Sequence, residues 1–229
     1  MAAAVLFDLE RLRPADVRAL TGLNDSKQQS HASRAALYPI IMRVAVRVAI
    51  VSRCAPGIDR RGLHVTNLQA LADALRRVAR PGCLCLSDGF PVAPLGFEQR
   101  PVIGGDAKSA AIAAASVLAK ETRDRYMRRV DRVHPGWQFA QHVGYATPEH
   151  RQAIERQGIS PLHRLSFQSA AYQQLALLGG ELSPPPTADA DRDQDAAAAT
   201  LHVLGRRPIL PATSHSEGRL EMLEARQPA

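Results

Sequence analysis

Residues 105–127 read GDAKSAAIAAASVLAKETRDRYM. The stretch predicts a long helix from near Lys108 to about Val130, and five alanines, Ala110, Ala111, Ala113, Ala114 and Ala115, crowd its first turns. Side chains that small let a helix backbone come close to a neighbouring layer. Immediately upstream, Pro101-Val102-Ile103 reads as a short strand broken by Gly104-Gly105, which leaves Asp106 just before the helix. Further upstream, Cys83 to Leu86 is a short apolar run that predicts a buried strand ending at Ser87-Asp88-Gly89. Ala2 to Phe7 reads as another buried strand, and Val44 to Val51 as a third, β-branched at most positions. Between the strands lie helical stretches: a turn or two at Pro14–Leu20, one from near Ser30 towards Met42 with Pro39 marking a kink or early end, and Pro56–Val78, where Leu68, Leu71, Leu75 and Val78 keep helical spacing. Pro148 opens one more helix, to about Gln157. Strands alternating with helices predict a mixed α/β layer fold.

The composition divides the chain. Residues 1–177 read as one domain, long enough to bury its own core. Residues 178–229, with Gly179-Gly180, Pro184-Pro185-Pro186 and an Asp/Ala tract, read as a low-complexity, disordered tail. The chain has 29 basic and 22 acidic residues. Five of the basic and eight of the acidic residues lie from Leu178 onward, which leaves the body with 24 and 14, a net of +10. A basic globular body attracts polyanions, nucleic acid foremost, although the same excess also serves plain solubility. The three cysteines, Cys54, Cys83 and Cys85, form neither a zinc pattern nor a disulfide framework, which points to a reducing, cytoplasmic setting. No leader pattern opens the chain and no apolar run approaches the ~20 residues that span a bilayer, so no membrane partner is expected.

Two acids stand at element ends beside glycines, Asp88 after a strand and Asp106 before a helix. Such a pair can share a hard cation such as Mg²⁺, which binds through one or two carboxylates plus substrate phosphates, and paired metals assist phosphodiester cleavage. Either acid could equally be a turn residue or a helix cap. His142, His150 and His163 show no tight ligand spacing on one helix face, so they are read as structural or as peripheral substrate contacts. Asp124 and Asp131, on an Arg-rich helix, are expected to be surface ion-pair partners, and Trp137 a packing residue.

Taken together, the 105–127 run resembles the signature of bacterial ribonuclease HII, endonucleases that cut RNA paired with or joined to DNA. Three further stretches agree in order: Leu23-Asn24-Asp25-Ser26-Lys27, HPGWQFAQHVGYATPEH from His134 to His150, and GISPLHRLSF from Gly158 to Phe167. The resemblance spans roughly residues 2–175. It implies a ribonuclease H-like fold, a mixed five-stranded sheet flanked by helices. It places Asp88 and Asp106 on the two later acids of a four-carboxylate cluster for Mg²⁺ or Mn²⁺. It places Tyr145 on the tyrosine that packs against the ribose, and Asn24, Lys27, Lys108 and Ser109 on or near phosphate contacts. The implied partner is an RNA–DNA hybrid or ribonucleotide-containing duplex DNA, bound by a monomer.

The sequence departs from that family at its start. The family pattern opens with a strand bearing Asp-Glu-x-Gly-Arg-Gly, and nothing like it precedes Ala2–Phe7, which resembles the family's second strand. The expectation is therefore a domain lacking its first, central strand and two metal carboxylates. A start lying further upstream is the favoured account; a truncated remnant, or a homologue that binds duplex without cutting, are the others. Should this chain cut by itself, Asp8 and Asp25 are the first acids to consider as stand-ins.

Overall fold

The structure is a computed structural model that describes residues 1–23 and 29–167, together with the backbone of 199–204. Its centre is a five-stranded mixed sheet. In chain order the strands are β1 (Ala2–Asp8), β2 (Arg47–Val51), β3 (Cys83–Asp88), β4 (Glu98–Val102) and β5 (Ala199–Leu204), arranged β2-β1-β5-β3-β4. β1 runs antiparallel to β2 and parallel to β5, while β3 runs antiparallel to β5 and parallel to β4. The helices are α1 (Pro14–Ala19), α2 (His31–Val44), α3 (Ala55–Arg61), α4 (Leu63–Val78), α5 (Gly105–Lys108), α6 (Ala110–Asp131), α7 (Phe139–His142) and α8 (Pro148–Gln157).

The continuous apolar run of β1 is explained by burial on both faces. Ala2, Ala4 and Leu6 pack with Leu71, Leu75 and Val78 of α4 and with Cys83 and Cys85. Ala3, Val5 and Phe7 point the other way, into Ile112, Val117 and Leu118 of α6 and Leu37 and Ile41 of α2. Ala111, Ala114, Ala115 and Ala119 of α6 lie in this layer, while Ala110 is exposed. β4 is an edge strand, and its Pro101 accordingly sits where one side of the backbone needs no ladder partner.

The elements follow the sequence reading in outline, but the 56–78 helix is divided at Gly62 into α3 and α4, Ser109 separates α5 from α6, and β4 begins earlier than read, at Glu98. Val44 remains in α2, where it packs on the core from the last turn, so the second strand starts only at Arg47. Pro39 lies inside α2 and does not end it. Within the tail, Ala199–Leu204 is a strand, and it occupies the central slot between β1 and β3 that was expected to stand open. The physical reason is hydrogen bonding: a gap there would leave two rows of buried backbone groups unpaired, each costing about 1–3 kcal/mol. The remainder of the tail lies outside the described residues.

Candidate functional site

At the end of β3 the chain presents Asp88 beside the turn that leads into α5. The Gly105 N–H donates to Asp88 Oδ1 at 2.8 Å, tying the strand end to the residue preceding Asp106. The local sequence permits this approach. Gly104 adopts the left-handed conformation (φ 62°), and a Cβ on Gly105 would stand 2.4 Å from Ile112 Cδ1 and 3.3 Å from Asp88 Oδ1. Both acids are partly exposed, as a pair that has to meet a ligand must be. Their oxygens suit a hard divalent cation, with substrate phosphates completing the shell. Among the described residues no group of three or more His, Cys, Asp or Glu side chains gathers in a metal-holding arrangement.

Ser109 ends α5 and caps α6, its hydroxyl accepting from the Ile112 N–H at 3.5 Å. Lys108 is exposed, and its ammonium donates to the Ile103 carbonyl at 2.7 Å. The structure thus gathers Asp88, Asp106, Lys108 and Ser109 at one corner. Asn24, Asp25 and Lys27 lie outside the described residues.

Tyr145 is held elsewhere along α6. Its hydroxyl accepts from Lys120 Nζ, which also stands 4.4 Å from the ring centroid, and the Arg123 guanidinium lies 5.0 Å from it. Ten residues separate Ala110 from Lys120, about 15 Å of helix rise. One helix therefore carries the acid corner at its start and the cations over the tyrosine in its middle. Beside this tyrosine, a cavity of about 550 Å³ is lined by Arg53, Arg123, Arg151 and Arg164 over an apolar floor that includes Phe139 and Ile154. Four arginines in its lining give the region a local excess of positive charge.

Three expectations are corrected or sharpened. Asp124 is no surface acid: it is 2% exposed and receives Arg34 Nη2 from α2 at 2.9 Å, a buried ion pair between two helices. Asp8 cannot stand in for a catalytic carboxylate. The strand register puts Asp8 level with Leu204 and Cys83, whereas Asp88 follows Ser87, which pairs with Thr200 at the opposite end of the sheet. Five residue steps of about 3.3 Å, roughly 16 Å, lie between the two levels. The three histidines pack against one another: His142 and His150 stack with centroids 4.0 Å apart, and His150 Nε2 meets His163 Nε2 at 3.0 Å. Trp137 packs as expected, stacked on Phe139, with its indole N–H donating to the Gly158 carbonyl at 2.9 Å. Cys85 is no nucleophile, since burial and the neighbouring Cys83 push its thiol up to about 12.

The chain matches the family model described as Ribonuclease HII over residues 2–170. It is 41% identical over 212 residues to the ribonuclease HII of Mycobacterium tuberculosis strain H37Rv, covering 92% of this chain and 78% of that protein. It is 46% identical over 157 residues to the ribonuclease HII of Mycobacterium avium strain 104, 68% of each. Two solved structures share the fold. The ribonuclease H2 of Pyrococcus horikoshii OT3 superposes with a TM-score of 0.59 at 18% identity, covering 75% of this chain and 87% of that one. The ribonuclease HII of Archaeoglobus fulgidus, solved in complex with PCNA, gives 0.56 at 19% identity, with 80% and 98% covered.

Proposed function

The chain belongs to the ribonuclease HII family, and from that premise we propose that it hydrolyses the RNA strand of RNA–DNA hybrids and the phosphodiester 5′ to a ribonucleotide embedded in duplex DNA, leaving a 3′-hydroxyl. The observation that carries the reading is the acid corner. Asp88 is tied through the Gly105 N–H to the segment that bears the second acid, just before the helix whose middle carries Lys120, the donor to the Tyr145 hydroxyl.

Asp88 and Asp106 would hold Mg²⁺ or Mn²⁺, whose contribution is Lewis-acid stabilisation of the charge that builds on the phosphate. The chain's own residues do the rest. The Gly105 N–H orients one oxygen of Asp88 and leaves the second outside that bond. Tyr145, its ring lying beside Lys120 and Arg123, offers a flat apolar surface with a polar tip, suited to pack against a sugar. The body's net charge of +10 and the arginine-lined wall support backbone contacts to a duplex.

A second reading rests on the carboxylate count. Among the described residues no group of three or more acids, histidines or cysteines gathers to hold a metal, which also fits a protein that binds hybrid duplex without cutting it. One experiment decides. The protein is incubated with a duplex holding a single ribonucleotide and with a full hybrid, in Mg²⁺ and in Mn²⁺, while binding is followed in parallel. Cleavage 5′ to the ribonucleotide is expected. Tight binding with no product supports the second reading, and neither binding nor cleavage overturns both.

A further inference from the structure

The turn that carries Tyr145 is backbone-strained. Val143, a β-branched residue, sits at φ 44°, and Gly144 follows at φ 85°. A non-glycine residue held there costs on the order of 1–3 kcal/mol and persists only where its surroundings over-determine it. Hydrogen bonds from the histidine cluster do so here. The Gly144 N–H donates to His142 Nδ1 at 3.0 Å, so that nitrogen carries no proton, and His142 Nε2–H donates to the Trp137 carbonyl at 2.7 Å. The Tyr145 carbonyl is 2.8 Å from His150 Nδ1, which must be the protonated nitrogen, because a carbonyl only accepts. His150 Nε2 is then an acceptor, and at 3.0 Å it receives Nε2–H of His163. His163 Nδ1 is correspondingly bare and receives the Ser160 N–H at 2.9 Å, with the Ser160 hydroxyl at 2.7 Å. Every ring nitrogen in the cluster has one allowed role, and all the roles agree with three neutral imidazoles.

We propose that Ser160, His163 and His150 form a one-directional hydrogen-bond relay that fixes the main chain at Tyr145, making the two histidines positioning residues for the tyrosine's contact with a ribonucleotide. The consequence for recognition rests on the function proposed above; the relay itself does not. It joins the segment after α8 to the turn after α7 through the first half of α8, so three separated pieces of sequence set one side chain.

The relay holds only while both rings are neutral. A proton on His150 Nε2 would face the His163 N–H across 3.0 Å. A proton on His163 Nδ1 would displace the Ser160 N–H, with only the hydroxyl left to accept. Burial, joined by the neighbouring imidazoles, lowers the pKa of both histidines, that of His163 to about 4. Charged groups of both signs surround the cluster, among them the Glu149 carboxylate of α8, which interacts with His142. The cavity wall brings Arg53 from the segment after β2, Arg123 from α6, Arg151 from α8 and Arg164, with the amino group of Met1 beside them. Asp59 of α3 lines the opposite side near His163, but its carboxylate is engaged by the Leu165 and Ser166 N–H groups and the Ser166 hydroxyl. In the unfolded chain these histidines take up protons near their ordinary value of 6.5, whereas the folded protein refuses them down to about 4 for His163. Stability contributed by the relay is therefore full above about pH 7 and declines as pH falls across that window.

The test is nitrogen NMR of the imidazoles in the whole chain at pH 7.5, with the Tyr145 amide as reporter, for the wild type, His163→Leu and His163→Gln. The expected result is a protonated Nδ1 on His150, a protonated Nε2 on His163 and a Tyr145 amide displaced by His163→Leu. His163→Gln keeps a donor near the Nε2 position and should largely restore the shift. The opposite tautomers, or a folded His163→Leu whose Tyr145 amide is unmoved, overturn the relay. Binding to a duplex with one ribonucleotide, relative to plain DNA duplex, is then compared across the same variants. His163→Leu should reduce that preference at least 5-fold with plain-duplex affinity held within about 2-fold, and His163→Gln should recover it. A preference unchanged in His163→Leu overturns the positioning role. If the wild type shows no preference, the functional reading fails and the NMR alone decides the relay.

Discussion

The two ends of the candidate site are built in opposite ways. At the acid corner, Asp88 and Asp106 are partly exposed, and a hydrogen bond from the Gly105 N–H to Asp88 links their segments. At the Tyr145 turn, four aromatic rings, two backbone carbonyls and a chain of directional hydrogen bonds converge on one strained segment. On the function proposed above, the contrast follows from what each end would have to do. Carboxylates that share a cation with a phosphate must keep oxygens available, so surrounding donors would compete with the ligand. A tyrosine that distinguishes ribose from deoxyribose must be held in place before substrate arrives, because ordering it on binding would weaken the discrimination.

Breaking the acid corner should have the largest effect. Asp106→Asn should lower the cleavage rate on a single embedded ribonucleotide by at least ~100-fold, about 2.7 kcal/mol of transition-state stabilisation, with duplex affinity nearly unchanged. A rate within a few-fold of wild type at saturating Mg²⁺ would remove Asp106 from the chemistry. Gly105→Ala probes the close approach at the same corner. The added methyl would stand 2.4 Å from Ile112 Cδ1, and overpacking of that kind costs typically 1–3 kcal/mol, to be read from a denaturant midpoint. An unchanged midpoint would mean the corner yields more readily than its geometry implies.

At the other end the expected effect is smaller and more selective. Tyr145→Ala should cut activity on the embedded ribonucleotide by roughly 10-fold, about 1.4 kcal/mol, while plain-duplex binding changes little. Equal losses in both would point to misfolding of the turn. The smallest effect belongs to the exposed cations. Lys108→Ala should flatten the log–log salt dependence of duplex affinity by at most ~0.9, the slope of one phosphate contact, without altering preference for the ribonucleotide. A change in preference would place Lys108 in recognition instead.

How much of this was legible beforehand depends on whether the signal was local. The strands and long helices were, because Ala2–Phe7, Cys83–Leu86 and the alanine run of α6 announce burial within a few residues. The acid corner was legible as two acids beside glycines, and the family resemblance singled them out. The burial of Asp124 was not, since its partner Arg34 lies 90 residues away and the local surroundings, rich in arginine, read as a surface. Nor was the role of the histidines. Each sits in a loop or at a helix end with no helical spacing to its partners, and only the tertiary contacts fix which nitrogen donates. β5 was hidden for another reason. Its six residues lie in a tail whose composition reads as low-complexity, and the demand for a strand comes from the open edges of β1 and β3.

The contrast between the two ends can be tested without turnover. Mn²⁺ added to the isotope-labelled protein broadens nearby amide signals, and both the acid corner and the histidine cluster offer groups that bind such ions. The account predicts that the amides of Gly89, Gly105, Asp106 and Ala107 broaden first and that Asp88→Asn abolishes this, with the His142, His150 and His163 signals staying sharp. Broadening that begins at the histidines, or that persists at the acid corner in Asp88→Asn, would contradict the assignment of Asp88 and Asp106 as the metal-holding, reactive pair.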